Sequence, residues 1–457
     1  VNLKLNIKPV PGLNYQQVVG YENRQWELHQ YWPSTHRSEI DNSRKGHAHL
    51  AFSKTENLTS EGYFSYVKDF KGGHNLNATA GYSYFEVNGE NFGMDNYNFS
   101  VDGIKYWDIG QGSYLTDGKA GMSSGKSVTE RLFSFFARAN YSYQDKYMLS
   151  ASIRHEGSSK FAADNRWANF WSATAGWRIS NEEFMKDFDW LDDLKIRFGY
   201  GVTGNNDFSA TYMANMLGSD TNWMMPNGTW AYSYGKSQNV NPNLGWEEKK
   251  EWNLGVDYSF FEGRLYGKFD YYRREVDNLL FSVKVPQPPY TQGSQMQNIG
   301  SMESKGWEFE VGGDIIRTKD FTWSSSMNLS HNTGKILTLE GDNSYHNGNG
   351  FVAPGTPGDA ARMEAGSTIG SFYMWKFAGF DDEGCFLLYN KDGEVIPAAQ
   401  KTENDKQYIG NYTPKLIIGW SHTLTYKNFD LGINLRSWID FDVYNTINMY
   451  YGIQGQG

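Results

Sequence analysis

The sequence predicts an all-β fold, a transmembrane antiparallel β-barrel with short turns at one end and long connections at the other. Three observations support this prediction. Many segments alternate between apolar and polar residues. The segments are about as long as a tilted membrane-crossing strand, roughly 9–11 residues. The connections between them are alternately short and long, as in outer-membrane barrels.

The alternation is clearest between Leu132 and Arg154. One face of the first strand carries Phe133, Phe135, Ala137, Ala139, Tyr141 and Tyr143, and the other carries Ser134, Arg138, Asn140 and Ser142. After residues 144–146 the pattern resumes, with Tyr147, Leu149, Ala151 and Ile153 set against Ser150, Ser152 and Arg154. Because successive side chains of a strand point to opposite faces, this is a hairpin with one apolar and one polar face.

Five further segments repeat the pattern, at residues 171–179, 195–202, 252–260, 321–329 and 429–436. A soluble two-sheet sandwich could supply some of these strands, but rarely so many in one domain without helices.

Composition agrees with a barrel and limits the alternatives. The chain of 457 residues has 31 Tyr, 28 Phe and 16 Trp, and 21% of it is charged. In a barrel only alternate residues face lipid and aromatic girdles mark both interfaces, so such a mixture is expected. No run of 18 apolar residues suggests a membrane helix. The net charge of −10 disfavours nucleic acid as a partner. Cys385, the one cysteine, excludes an internal disulfide and is expected to be a small buried side chain.

The spacing of the connections predicts about 14 crossing strands in a single barrel segment over residues 1–457. Long, extracellular connections are expected at residues 21–60, 88–130, 204–245, 282–297 and 337–412. Residues 368–379 resemble a strand, but a crossing there would put the turn at residues 427–428 on the wrong side. We therefore expect 337–412 to be one external excursion, with residues 368–389 folded above the membrane. Both ends look interrupted, which predicts an interior segment of a longer protein.

Several motifs resemble those of the SusC-like (RagA/SusC) family of TonB-dependent transporters of the Bacteroidetes outer membrane. They are 154–161 (RHEGSSKF), 177–185 (WRISNEEFM), 194–205 (LKIRFGYGVTGN), 241–247 (NPNLGWE), 298–302 (NIGSM), 305–308 (KGWE) and 442–445 (DVYN). They occur in family order over most of residues 131–445.

The resemblance implies a barrel of 22 strands when complete, with a plug domain, the first strands and the last strands outside this chain. It implies a SusD-like surface lipoprotein that covers the external loops, and energy from TonB through an N-terminal part. The implied function is import of oligosaccharides, or in some members peptides, across the outer membrane. The implied assembly contains two pairs, each made of one transporter and one SusD-like lipoprotein.

The loop 204–245 is the main candidate for contact with substrate or lid, through Tyr212, Trp223, Trp230, Tyr232 and Tyr234. Aromatic faces can stack on sugar rings while nearby amides bind hydroxyls. The alternative is that these rings pack within the loop or form an interface belt. Nine charged residues are expected to line the lumen, paired with one another or with a plug: Arg138, Arg154, Arg178, Arg197, Asp257, Glu308, Glu310, Asp314 and Arg436.

No motif predicts an enzyme, a catalytic residue, a cofactor or a metal. The nine histidines lack paired metal spacing, and the glycine-rich 201–206 lacks the lysine of a phosphate loop. Residues 381–384 and 390–394 resemble calcium-binding loops but lack the full ligand pattern. The simpler interpretation is that their Asp, Asn and Gly residues form ordinary turns. Two alternatives to an importer remain, a soluble all-β glycan-binding module and a passive porin.

Overall fold

The computed structural model describes residues 1–214, 217–339, 345–346 and 360–447, without the side chains of residues 219–223, 232–233 and 345–346. The strands are numbered along the chain. The wall strands are β1 (Asn2–Val10), β2 (Leu13–Trp32), β3 (His47–Phe70), β4 (His74–Tyr97), β6 (Glu130–Tyr143), β7 (Tyr147–Ser158), β8 (Trp167–Arg178), β9 (Leu191–Asn205), β12 (Glu247–Phe260), β13 (Leu265–Asp277), β16 (Ser301–Arg317), β17 (Phe321–Thr338), β24 (Leu416–Tyr426) and β25 (Phe429–Ile439).

The remaining strands belong to the connections. They are β5 (Gly121–Lys126), β10 (Leu217–Met224), β11 (Trp230–Lys236), β14 (Leu280–Lys284), β15 (Ser294–Asn298), β18 (Tyr345–His346), β19 (Arg362–Met363), β20 (Ser371–Phe380), β21 (Phe386–Tyr389), β22 (Val395–Pro397) and β23 (Lys406–Asn411). The helical segments are α1 (Arg37–Asp41) and short 3-10 turns at Asp102–Ile104, Ile109–Gln111, Ala163–Asn165, Ile179–Asn181, Glu183–Met185, Ala210–Met213, Ala398–Gln400 and Glu403–Asp405. Within the described residues, none of these helices is long and apolar enough to be a membrane-spanning helix.

The wall is one antiparallel sheet in which each strand pairs with the next wall strand along the chain, from β1 to β25. Over the described residues it contains fourteen such strands, in agreement with the predicted number of about 14, and β5 adds to it by pairing with β4. The all-β class is therefore confirmed.

Register aligns side chains into rows that cross the sheet. Because directly paired residues share a face, each row shows the character of that face. One row is polar or small: Asn77, Asn140, Ser150, Thr174, Gly199, Asn253, Tyr272, Gly306 and Asn332. The next row, on the opposite face, is apolar: Leu76, Tyr141, Leu149, Ala175, Phe198, Leu254, Tyr271 and Trp307.

The apolar face is not covered by the described part of the chain. Leu149 is 56% exposed, Phe198 50% and Leu254 43%. In a water-soluble sandwich these side chains would be buried between two layers. Their exposure is instead what a lipid-facing surface requires.

The wall strands extend further than the alternation of the sequence indicates. The connections between wall strands at the long end run over residues 33–46, 98–129, 159–166, 206–246, 278–300 and 339–415. The sequence predicts a long connection at 21–60, whereas β2 continues to Trp32 and β3 begins at His47, so most of that range is paired strand. Antiparallel pairing persists where neither face is apolar, so the hydrophobic pattern ends before the strand does. The connection 159–166 was not among those predicted.

The excursion between β17 and β24 forms its own small sheet, in the order β22-β21-β20-β23. β17 pairs directly with β24, through Phe321 and Tyr426 at the short-turn end. The strand-like segment at residues 368–379 therefore contributes β20 to this separate sheet and does not cross the wall, as the alternation of connections predicts.

Candidate functional site

The long connections bring their aromatic residues to one end of the wall, where a hairpin of β10 and β11 stands out. Trp230 is 67% exposed and Tyr234 is 70% exposed. The two rings are four residues apart on one strand, so they share a face. Tyr212 behaves differently, because it packs against a buried cluster. For Trp223 and Tyr232, the other two predicted contacts, the structure gives backbone pairing, and their side chains lie outside the described residues.

A buried cluster, here called the rim cluster, forms where strands leave the wall. Its members are Phe161, Phe170, Phe208, Leu244, Trp246 and Met296. Phe161 is 1% exposed and Leu244 is fully buried. An ideal Cβ at Gly204 would lie 2.0 Å from Cζ of Phe170, so only glycine lets that ring cover the end of β9. Gly204 thus lets the strand leave the rim of the wall beside a bulky ring.

Hydrogen bonds join the same motifs. The Asn298 side chain accepts from the Gly245 N–H at 2.7 Å and donates to the Gly245 carbonyl at 2.9 Å. The Trp246 indole N–H donates to the carbonyl of Arg166 at 3.0 Å, and the Asn241 amide donates to that of Met296 at 3.0 Å. The motifs are thus structural, since they satisfy buried backbone groups where three connections meet.

The polar face of the wall carries ion pairs. Arg197 donates to both carboxylate oxygens of Asp257 at 2.8 Å, and also to Asp270 at 3.2 Å. These three residues lie on neighbouring strands β9, β12 and β13. A planar guanidinium matches a carboxylate in this two-bond geometry. The group therefore ties three strands together across one face.

Other predicted lumen residues are also paired with neighbours. Arg154 binds Glu156 at 3.1 Å, and Glu310 accepts from Lys268 at 3.1 Å. Arg178 pairs with Asp145 and, at 3.2 Å, with Asp193.

The last four predicted lumen residues have weaker or no ionic partners. Asp314 lies 3.6 Å from Arg317 and accepts from Ser324 at 2.7 Å, and Arg138 donates to Asn140 at 3.3 Å. Among the described residues Glu308 and Arg436 have no ion pair within 4.0 Å. Arg436 is exposed on the edge strand β25.

The two segments that resemble calcium loops form turns in the excursion, and their side chains bind the backbone of those turns. Asp381 Oδ1 accepts from the N–H groups of Glu383 and Cys385, at 3.0 and 2.7 Å. Asn390 Oδ1 accepts from those of Asp392 and Glu394, at 3.0 and 2.8 Å. Side chains that satisfy their own turns are the usual role of Asp and Asn there. No group of three or more metal-ligating side chains occurs among the described residues.

Two further features belong to the excursion of residues 339–415, and the first contradicts the sequence prediction. Cys385 is exposed and not buried, because it lies in the tight turn that joins β20 to β21. In β23, partial burial and a hydrogen bond donated to Glu364 raise the pKa of Tyr408 to about 12, which keeps this phenol neutral.

The carboxylate of Asp102 joins the connection 98–129 to the connection 33–46 and to the end of β2. Asp102 Oδ1 accepts from the Ser34 N–H at 2.9 Å and from the Tyr31 hydroxyl at 2.8 Å, and Oδ2 accepts from the Ser34 hydroxyl at 2.7 Å. Hydrogen bonds donated by the Ser34 hydroxyl, the Ser34 N–H and the Tyr31 hydroxyl hold the pKa of Asp102 below its usual value. Sequence reasoning missed this clamp because its members are about 70 residues apart.

A two-faced antiparallel wall with connections gathered at one end defines a membrane β-barrel class of protein. Residues 6–446 match the family described as TonB dependent receptor-like, beta-barrel. The chain belongs to this family, and its relatives place it in the SusC/RagA type.

Three relatives illustrate the similarity. SusC of Bacteroides thetaiotaomicron, a TonB-dependent receptor, is 34% identical over 72% of this chain and 33% of its own length. TonB-dependent receptor P3 of Formosa agariphila is 30% identical over 95% of this chain and 44% of its own. The structure of the RagAB peptide transporter superposes with a TM-score of 0.80 at 25% identity, covering 95% of this chain and 47% of that one. The chain thus spans less than half the length of these relatives.

Proposed function

We propose that this chain forms the greater part of the barrel of an outer-membrane importer of the SusC type. It takes up oligosaccharides or peptides through a lumen lined by the polar face of the wall. The observation that carries the proposal is the pair of adjacent rows described above, one apolar and exposed, one polar. It is supported by membership of a family of TonB-dependent receptors.

The nine predicted lumen charges contribute in this proposal to the shape of the pore. Most are paired with neighbours on the same face, as Arg197 is with Asp257 and Asp270. Paired charges cost less than single ones where the surroundings are only partly wet. They hold neighbouring strands in register and leave a polar surface against which a plug can pack.

The exposed end of the molecule faces the outside of the cell and carries the contacts to a SusD-like lipoprotein. The five long connections predicted from the sequence, together with 159–166, supply this extracellular surface. Trp230 and Tyr234 are the best placed of the predicted contact residues, because both rings are exposed on one face of a hairpin. TonB energises the import through a part of the protein that precedes the wall, and two importer–lipoprotein pairs form the complete assembly.

The first test is detergent dependence of the full-length protein. We expect it to be recovered from outer membranes only with detergent, because the apolar face needs a hydrocarbon or detergent cover. A monodisperse, detergent-free protein would instead favour the soluble glycan-binding module.

The second test separates an importer from a porin. The full-length protein is assayed in cells with and without the TonB system and with and without the lipoprotein gene neighbour. We expect uptake of labelled oligosaccharide or peptide to fall to background when either is removed. Uptake indifferent to both removals would identify a passive porin.

A further inference from the structure

β5 is an edge strand at the end of the wall that carries the long connections. It pairs with β4 from Gly121 opposite Asp95 to Lys126 opposite Glu90. Lower down, the same edge of β4 pairs with β6, from His74 to Val87. In the described part of the chain no strand pairs with the other edge of β5. Its outward N–H and C=O groups therefore form a template for one more strand.

The side chains of β5 leave this edge open. The strand reads Gly-Met-Ser-Ser-Gly-Lys, and every residue after Gly121 is exposed. Met122 is 76% exposed and offers an apolar contact beside the edge. Small side chains form no pockets, so recognition at this edge depends on backbone hydrogen bonds and not on sequence.

A second copy of the chain does not fit this edge. Two copies in one membrane have the same orientation, so a two-fold axis along the membrane normal relates them. That rotation leaves the vertical component of a strand unchanged and crosses the two β5 strands at about twice their tilt, on the order of 80°. Neither antiparallel nor parallel pairing is possible at such an angle.

An oligosaccharide does not fit either, because it lacks the regular series of N–H and C=O groups that pairs with a strand edge. An extended polypeptide has that series. A binder that must accept many sequences gains from an edge without side-chain pockets.

We propose that the free edge of β5 binds extended peptide cargo as an added strand, with little dependence on its sequence. The site lies at the end of the wall that carries the long connections, where cargo would first meet the importer. This inference rests on the proposed import function and assigns peptides as one of its substrate classes.

The test uses the full-length protein in detergent and fluorescent ten-residue peptides. One peptide has an arbitrary polar sequence, a second has that sequence scrambled, and a third carries N-methyl groups on consecutive residues, so that neither of its edges can donate. Each lost hydrogen bond is worth about 0.5–1.5 kcal/mol, so losing two or three predicts at least about fivefold weaker binding of the methylated peptide. The scrambled peptide is expected to bind within about threefold of the first. Equal binding of the methylated peptide, loss of binding on scrambling, or no peptide binding at all would overturn the proposal.

Two variants locate the site. Outward N–H groups come from alternate residues, so either Ser123→Pro or Ser124→Pro removes an outward donor. We expect at least one of them to weaken peptide binding tenfold while heat modifiability of the barrel in electrophoresis is unchanged. Wild-type binding by both would place the peptides elsewhere. If both variants lose the folded electrophoretic form, the comparison of the three peptides on the unchanged protein still decides.

A photo-crosslinking residue introduced at position 124 identifies which molecule binds at the edge of β5. Crosslinking to the labelled peptide supports the proposal, whereas crosslinking to a co-purified lipoprotein in the presence of peptide overturns it. The import function is judged separately. TonB-dependent uptake of peptide by both serine variants at wild-type rates would reject β5 as the site and leave the importer intact. Uptake of oligosaccharide bears on the importer alone.

Discussion

The side chain of Asn298 binds both backbone polar groups of Gly245, accepting from its N–H at 2.7 Å and donating to its carbonyl at 2.9 Å. The same amide donates to the carbonyl of Asn278 at 2.9 Å. One side chain thus joins the connection before β12 to both ends of the connection 278–300. The contact fixes the base of two loops that belong to the proposed outer surface.

Asn298→Ala is expected to loosen these loops without opening the wall. It leaves two carbonyls and one N–H without their partner, at a cost of about 1–3 kcal/mol for each group that stays buried. Limited proteolysis should show faster cutting within residues 206–246 and 278–300, and unchanged resistance elsewhere. Gln297→Ala is the matched control, because the Gln297 amide donates to the side chain of Gln295. Equal cutting of the two variants would contradict the role given to Asn298.

Charge placed on the two faces of β12 should have unequal effects. Leu254 lies six residues before Phe260, the end of the strand. At a rise of about 3.3 Å and a tilt of about 40°, that is about 15 Å, near the middle of an apolar band about 25 Å tall. Leu254→Arg should therefore cost about 2–4 kcal/mol, measured as the free energy of unfolding in lipid vesicles.

Asn253→Arg is the control, since Asn253 is the next residue and points to the polar face. It should change the unfolding free energy much less. Equal destabilisation by the two arginines would mean that the assignment of faces is wrong.

The charged group around Arg197 should behave as one unit. Arg197→Met leaves the carboxylates of Asp257 and Asp270 facing each other, and Asp257→Asn removes one of them. A double-mutant cycle of the two changes is expected to give a coupling of about 0.5–3 kcal/mol. Lys195→Met, whose Nζ is 4.0 Å from Asp257, should couple less. Additive effects of Arg197→Met and Asp257→Asn would contradict a shared network.

The Asp102 clamp predicts a pH dependence of the connections 33–46 and 98–129. The folded state lowers the pKa of Asp102, so the ionised carboxylate stabilises the fold above its unfolded pKa of about 3.9. This contribution disappears as the pH falls through the lower folded pKa. Hydrogen exchange of these connections should therefore accelerate, after correction for intrinsic rates, at the acid end of a titration from pH 7 to pH 3.

Asp102→Asn is the matched variant for this titration. It should show the faster exchange already at pH 7 and little further change in acid. A variant that keeps the acid transition would assign the transition to another group.

The exposed rings of the β10–β11 hairpin should matter for ligand binding and not for folding. Trp230→Ala and Tyr234→Ala are expected to change stability by less than about 0.5 kcal/mol, because both side chains are mostly exposed. Loss of one stacked ring should weaken binding of the transported ligand by about 0.5–1.5 kcal/mol, or two- to tenfold. Trp107→Ala is the control, an equally exposed tryptophan at 78% on another connection. Unchanged affinity in both hairpin variants would exclude the hairpin as a contact site.

Particular residues show why the wall was predictable from the sequence. Along Phe133 to Tyr143 residue type alternates with the face, because one face meets hydrocarbon and the other does not; Phe136, opposite Arg154 on the polar face, is the exception. Beyond the apolar band neither face meets hydrocarbon, so residue type no longer depends on the face. The ends of β2, β3 and β4 next to the long connections therefore show no clear alternation of apolar and polar residues. The same limit hid β5, whose glycines and serines have low strand propensity.

The site was less accessible to sequence reasoning. The motif residues Phe161, Leu244 and Trp246 pointed to a family, yet their shared role appears only when the rim cluster brings them together. The sequence predicts Tyr212 as a contact residue because it is aromatic, and the structure shows it partly buried against that cluster. Sequence composition alone could not distinguish a ring that supports a loop from one that is offered to a ligand.

The excursion of residues 339–415 leaves and rejoins the sheet through β17 and β24, which are neighbours and lie about 4.8 Å apart. Its attachment points are therefore set by the wall and not by its own length. Evolution or a designer can exchange the whole segment for one of another size, provided that the replacement starts and finishes at the same two places. A single scaffold can in this way acquire a new connection while every strand below keeps its neighbours.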